Sequence, residues 1–388
     1  MKVLNPNEAS FWDKSKIHAM DASGIKSKSH GLATGFGPIS GFEHIIDQER
    51  PLRILTAILQ SGRTPHALLF TGMDGVGKQK CAETFAMALN CIAGSKNEEY
   101  TATGFGPCLN CRSCRKIQTT SHPDIIHVQP SGSFIKVDQI RVLCRTLSLK
   151  PYEAKQRVVI ISGAHTMNPS AANALLKVLE EPPDQTTLLL IALTASGLIP
   201  TIVSRCQQIR FNPISRNNLK RFLLEKEKMR PDDATILAGL AQGSFSRARS
   251  LSRTNWINRR KWLIHMMEKA LEKSVGQTSG AVPVDPISFK SLGFLLVFAE
   301  RLSKNKGRIG ESLEIIKSWL RDLLVCQHHP DKVINADFIE TIKLISQKTK
   351  AASLILKIEA IGEAEKDIQA NVNLRLILEI LMLRIAAE

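Results

Sequence analysis

Three cysteines stand as Cys108-x2-Cys111-x2-Cys114 directly after Pro107, and sixteen residues separate Cys108 from Cys91 upstream. Thiols at this spacing read as metal ligands. A closed structural zinc site takes four tetrahedral ligands. Three do not close it, and Cys91 is the best fourth. Four thiolates on Zn²⁺ carry a net double negative charge, which Arg112, Arg115 and Lys116 stand beside and would offset. An iron–sulfur cluster is the lesser alternative, because Gln118 occupies the place of the fourth cysteine in the bacterial ferredoxin run. Unligated thiols on a surface loop are the plain alternative. No histidine or carboxylate supplies an open position, so the site reads as structural. Cys81, Cys144, Cys206 and Cys326 are dispersed and are expected to pack as buried thiols.

The second constellation is Gly72-Met73-Asp74-Gly75-Val76-Gly77-Lys78-Gln79. Gly72, Gly75 and Gly77 let backbone N–H groups curl around phosphates, and Lys78 stands where it would reach the β- and γ-phosphates. The metal anchors are missing. The eighth position calls for a Ser or Thr hydroxyl on Mg²⁺, and Gln79 is there. A later strand should end in an acid, yet residues 158–179 contain no Asp or Glu. Asp124 precedes its strand and so falls at the wrong end of the sheet. Hydrolysis and Mg²⁺ binding are therefore not expected. Two readings of the loop stay open, a site that binds ATP or ADP without hydrolysis and a structural relic that is empty.

These groups need elements to hold them. Apolar runs at 67–70, 125–128, 158–161 and 188–193 read as strands, and none alternates, as in parallel strands covered on both faces. Helical spacing lies between them, notably at 43–59, 81–89, 139–147 and 170–181. The last follows Asn168-Pro169, an N-cap and first helical residue, and stops at Pro182-Pro183. Strand–helix alternation predicts an α/β parallel sheet with right-handed crossovers. From 213 onward the patterns are helical only, at 217–226, 232–241, 246–251, 256–271, 313–325 and 374–385. The expected organisation is a polar extension over 1–38, an α/β domain over 39–212, a helical segment over 213–273, a linker over 274–286 and a helical domain over 287–388.

The chain has 388 residues, too many for one ordinary domain, and a hydrophobic fraction of 43% that can fill real cores. No apolar run approaches the roughly 18–20 residues that span a bilayer, and the N-terminus lacks a signal-peptide pattern. A cytoplasmic protein without membrane contact is expected. Lys and Arg number 52 against 36 Asp and Glu, a net charge of +16 that favours work near a polyanion.

Several segments together resemble the bacterial clamp-loader AAA+ family. These are residues 66–72 leading into the P-loop, Leu89-Asn90-Cys91 with the Cys108 cluster, and the helix at 170–183. Ser204-Arg205-Cys206 resembles the family's trans-acting arginine motif, residues 243–248 its sensor-2 segment, and residues 319–324 and 373–384 helices of its C-terminal collar. The resemblance covers residues 39–388. It implies an AAA+ α/β domain, an all-α lid and an all-α collar. It implies a structural zinc on Cys91, Cys108, Cys111 and Cys114. Partners would be the gamma/tau and delta subunits of DNA polymerase III, and through the complex the sliding clamp and primed DNA. The departures at Gln79 and at 162–165 point to the non-hydrolysing subunit type, with Arg205 lent to a neighbouring ATPase. Arg247 then either contacts nucleotide or serves lid packing. Taken alone, Arg205 would read as a surface ion pair, and the 170–181 face as buried core. A hydrolysing gamma/tau-type motor is the alternative. A zinc-dependent nucleic-acid binder is the third reading, against which only 5% aromatic residues leave few stacking platforms for bases.

Overall fold

A computed structural model describes residues 42–93, 106–254, 256–275, 289–370 and 372–386. The expected extension over 1–38, most of the expected linker over 274–286 and residues 94–105 of the cysteine loop lie outside the described residues. The chain divides into two compact units, one running to Ser215 and including Ser244–Ser246, the other comprising Arg216–Gly243 and Arg247 onward.

The first unit contains, in chain order, α1 (Glu49–Ser61), β1 (Ala67–Thr71), α2 (Lys78–Leu89), α3 (Arg112–Gln118), β2 (Ile125–Val128), α4 (Val137–Leu147), β3 (Arg157–Ser162), α5 (Pro169–Glu180), β4 (Thr186–Ala192), α6 (Pro200–Val203) and β5 (Gln207–Arg210). The strands form one parallel sheet in the order β2-β3-β4-β1-β5. Side chains alternate across a strand, and both faces of the central strands are buried. Val159 and Ile161 join a core with Ile140 and Leu143 of α4 and Leu175 and Leu179 of α5. Val158 and Ile160 point the other way and are fully buried too. This is why those strands read as unbroken apolar runs.

Helix α5 starts as its sequence predicts. The Asn168 side chain accepts the Ala171 N–H at 2.8 Å, and Pro169 opens the first turn. Its Ala171, Leu175 and Val178 are buried, so that face is core. Two local differences from expectation have simple causes. The helix expected over 43–59 begins only at Glu49, because residues 42–44 form a separate 3-10 turn. Strand β5 was not expected. Only Ile209 of its four residues is buried, since it is an edge strand paired to β1 alone.

The second unit is wholly helical among the described residues: α7 (Arg216–Glu225), α8 (Pro231–Leu240), α9 (Phe245–Arg253, whose first two residues belong to the first unit), α10 (Trp256–Val275), α11 (Phe289–Ser303), α12 (Ile309–Cys326), α13 (Ile339–Lys348), α14 (Ala351–Gln369) and α15 (Leu374–Ala386). Buried polar groups pin its core. Arg260, 1% exposed, donates through Nε to Asn335 Oδ1 at 2.8 Å and through Nη1 to Asp337 Oδ2 at 2.8 Å. Fully buried Asp322 accepts the N–H groups of Ile334 and Asn335 at 3.0 and 2.7 Å. No described helix is long and apolar enough to cross a membrane.

Candidate functional site: a phosphate loop, a cysteine cluster and an exposed arginine

The glycine loop joins β1 to α2, as a P-loop requires. Gly72 has φ +141°, and a Cβ there would meet the Phe211 carbonyl oxygen at 2.7 Å. At Gly75, φ +78°, a Cβ would lie 2.1 Å from Ser246 Oγ and 2.2 Å from Ser244 Oγ. The Gly75 carbonyl accepts the Phe245 N–H at 2.9 Å. Only glycine fits these two places. Gly77 caps the start of α2. Lys78 is 5% exposed, and its ammonium donates to the Gly72 carbonyl and, at 2.7 Å, to that of Met73. Burial lowers its pKa, opposed by nearby Asp74.

The two positions that would anchor a metal meet each other. Ser162, the last residue of β3, donates its hydroxyl to Gln79 Oε1 at 2.5 Å. Gln79 Nε2 in turn donates to Glu83 Oε1, one turn along α2, at 2.8 Å. Burial raises the Glu83 pKa, against the Gln79 hydrogen bond and the charge of Lys80.

Asp124 sits at the opposite edge, before β2. Its carboxylate accepts the N–H groups of Tyr152, Glu153 and Ala154 at 2.8–3.0 Å and lies 3.6 Å from Arg157. Burial alone would raise its pKa. The three N–H groups and Arg157 hold it below the usual carboxylate range.

The four cysteines converge. The sulfurs of Cys91, Cys108, Cys111 and Cys114 all lie within 4.8 Å of one another and could hold a metal ion. Backbone N–H groups point at the sulfurs, from Cys108 to Cys91 at 3.4 Å, Cys111 to Cys108 at 3.3 Å and Cys114 to Cys111 at 3.5 Å. Burial pushes the Cys91 and Cys114 thiols up. It also acts on Cys111, but N–H groups of Cys114 and Ile92 draw that thiol down to about 6. The cluster hangs from the sheet by polar ties. Asn90 Nδ2 donates to the Gln156 carbonyl at 2.8 Å, the Gln156 N–H returns to Asn90 Oδ1 at 3.0 Å, and Lys155 Nζ reaches the Cys91 carbonyl at 3.1 Å. Of the three basic residues expected to offset thiolate charge, Lys116 is bound to Glu153 at 2.5 Å.

Arg205 follows the short helix α6. Ile202 and Cys206 on either side are buried and fix the turn. The Arg205 side chain is 36% exposed. Its Nη2 meets Glu180 Oε1 at 2.9 Å and its Nη1 the Thr201 carbonyl at 3.1 Å. Arg247 belongs to the second unit, where it pairs with Glu314 at 2.8 Å. Of the remaining cysteines, Cys81, Cys206 and Cys326 are buried and Cys144 is half-buried. Glu83 and Glu180 escaped the sequence reading. Glu180 meets Arg205, 25 residues away, with no local pattern to mark it, whereas Glu83 stands four residues from Gln79, the i,i+4 helical spacing that is the available signal.

Comparison with known proteins adds the following. A family model described as DNA polymerase III, delta subunit, matches residues 47–215, and one for the C terminus of that subunit matches residues 288–387. The DNA polymerase III subunit delta' of Bacillus subtilis is 31% identical over 337 residues, 87% of this chain and 95% of that protein. The delta' subunit of Pseudomonas aeruginosa is 39% identical over 145 residues, 37% of this chain and 42% of its own length. The tau subunit of Escherichia coli is 35% identical over 216 residues, which are 54% of this chain and 32% of tau.

Proposed function

The chain belongs to the delta' subunits of the DNA polymerase III clamp loader, and from that premise we propose that it is a non-hydrolysing member of the ring that lends Arg205 to a neighbouring ATPase. The observation that carries this reading is a contrast within one domain. Its own loop presents an amide and a hydroxyl where magnesium anchors belong, while Arg205 stands partly exposed on a turn fixed by buried neighbours.

A guanidinium placed against a γ-phosphate stabilises the charge that develops in phosphoryl transfer, worth about 10³–10⁵ in rate. Arg205 suits that task. Its fork can bond two oxygens at once. The ion pair to Glu180 that holds it now is exposed and worth at most about 1 kcal/mol, so docking against a neighbour can replace it cheaply. In this reading gamma/tau supplies the motor and delta completes the ring. The assembly loads the sliding clamp onto primed DNA in the cytoplasm. Residues 213–273 act as lid and 287–388 as collar.

The cysteine cluster fits zinc. Four sulfurs within 4.8 Å of one another, with N–H groups aimed at three of them, make a donor set of the right number for tetrahedral zinc. Bound zinc would cross-link the end of α2 to α3, and its role is structural.

The test is ATP turnover of the complex reconstituted with gamma/tau, delta, clamp and primed DNA. Arg205→Ala should leave this chain folded and depress turnover. Unchanged turnover would reject the arginine role. Mg²⁺-dependent hydrolysis by the isolated chain would favour a gamma/tau-type motor instead.

A further inference from the structure

The fold implies a magnesium–nucleotide at the P-loop, and the residues present do not fit one. Magnesium takes near-octahedral oxygen ligands at about 2.0–2.1 Å and favours carboxylates and phosphates. Here the first turn of α2 offers a neutral amide, and the end of β3 a neutral hydroxyl. Neither is idle. The Ser162 proton points at Gln79 Oε1 at 2.5 Å, and the other end of the amide donates to Glu83 at 2.8 Å. Glu83, one turn along α2, accepts from Gln79 Nε2 through Oε1.

We propose that the chain Ser162–Gln79–Glu83 replaces the divalent cation as the tie between α2 and β3, closing this P-loop to magnesium–nucleotide. The proposal rests on the non-hydrolysing reading and deepens it, because it names what takes the cation's place. An ordinary P-loop joins these two elements through the ion and a Ser or Thr hydroxyl. Here the bond is made by side chains alone, over 83 residues of sequence.

Glu83 is the positioning residue. A carboxamide can turn either end toward Ser162. An ionised carboxylate only accepts hydrogen bonds, so Glu83 holds Nε2 toward itself and turns Oε1 to the serine. Without Glu83 the amide has no fixed sense, and the tie weakens although Ser162 and Gln79 are untouched.

Two measurements on the full chain test this. Calorimetric titration with ATP, in MgCl₂ and again in EDTA, should show no gain in affinity from magnesium. The double variant Gln79→Thr with Ser162→Asp restores an anchor pair, and magnesium should then tighten ATP binding about tenfold or more. Wild-type chain that already binds ATP more tightly with magnesium would overturn the proposal, as would a double variant that gains nothing. The second measurement is a melting cycle. Gln79→Ala and Glu83→Ala should each lower the Tm by about 2–4 °C. Because they act through one chain, the combined variant should lose no more than the larger single loss. Additive losses would make the two residues independent and overturn the positioning role. If Glu83→Ala fails to fold, Glu83→Gln keeps the volume and enters the same cycle. Failure of the Arg205 experiment would leave all these outcomes unaffected, so the two readings fall separately.

Discussion

Glu180, the last residue of α5, holds the Arg205 guanidinium at 2.9 Å, joining the end of the Leu-Glu-Glu-Pro-Pro segment to the Ser-Arg-Cys turn. The pair is on the surface, so its stability contribution is small. Its value lies in parking a flexible side chain near one orientation. Glu180→Gln should change the stability of the chain by less than about 1 kcal/mol and retain or raise ATP turnover of the reconstituted complex. A fall as deep as that of Arg205→Ala would assign Glu180 work of its own and contradict the parking role.

Metal content checks the cysteine cluster. Purified chain should carry about one zinc, and Cys114→Ser should reduce occupancy to near zero, since three thiolates leave the tetrahedral shell open. Elemental analysis reads both. Full-length protein without metal, with all four thiols titratable, would refute the site.

Asp124 makes stability depend on pH in a defined direction. Its pKa is depressed in the fold, below the ordinary value near about 3.9. Its contribution is complete above that ordinary value and disappears as pH falls through the depressed one. Asp124→Asn should cost about 3 kcal/mol at neutral pH, because the neutral amide loses the charge that faces Arg157 and strengthens the bonds from three N–H groups. The gap between wild type and variant should close in acid. Denaturation at pH 7 and at successively lower pH measures it, and a gap that persists or widens in acid contradicts the assignment.

The second unit depends on Arg260. The side chain is 1% exposed and satisfied by Asn335 and Asp337. Arg260→Ala should destabilise that unit by about 3 kcal/mol, leaving the buried Asn335 carboxamide without its donor and the partly exposed Asp337 carboxylate unpaired. Urea denaturation followed through helical signal gives the number. A loss below about 1 kcal/mol would mean that water replaces the guanidinium freely.

Much of this architecture is legible in the sequence because local rules and tertiary demands agree. Residues 158–161 of β3 and 188–192 of β4 are apolar without alternation, since both faces are buried. Asn168-Pro169 announces α5 in two residues. The cysteine spacing identifies its cluster, because three of its four sulfurs come from one seven-residue run. The remainder is written in distant partners. Strand β5 is Gln-Gln-Ile-Arg and has only one buried side chain, so nothing local distinguishes it from a loop. Gln79 reads as a missing hydroxyl, but its partner Ser162 is 83 residues away. Glu83 and Glu180 look like any solvated helix carboxylate until Gln79 and Arg205 are placed beside them.

Helix α2 has the P-loop lysine at its first residue, Lys78, and the first cysteine of the cluster, Cys91, just beyond its end. Twelve residues make a rod of about 18 Å. One tip is bolted to β3 through Gln79 and Ser162, the other to the start of the same strand through Asn90 and Gln156. Helix and strand are thus two rails of a ladder with a rung at each end. Both ends of α2 are therefore set by one strand, which places the glycine loop and the cysteine loop in register with each other.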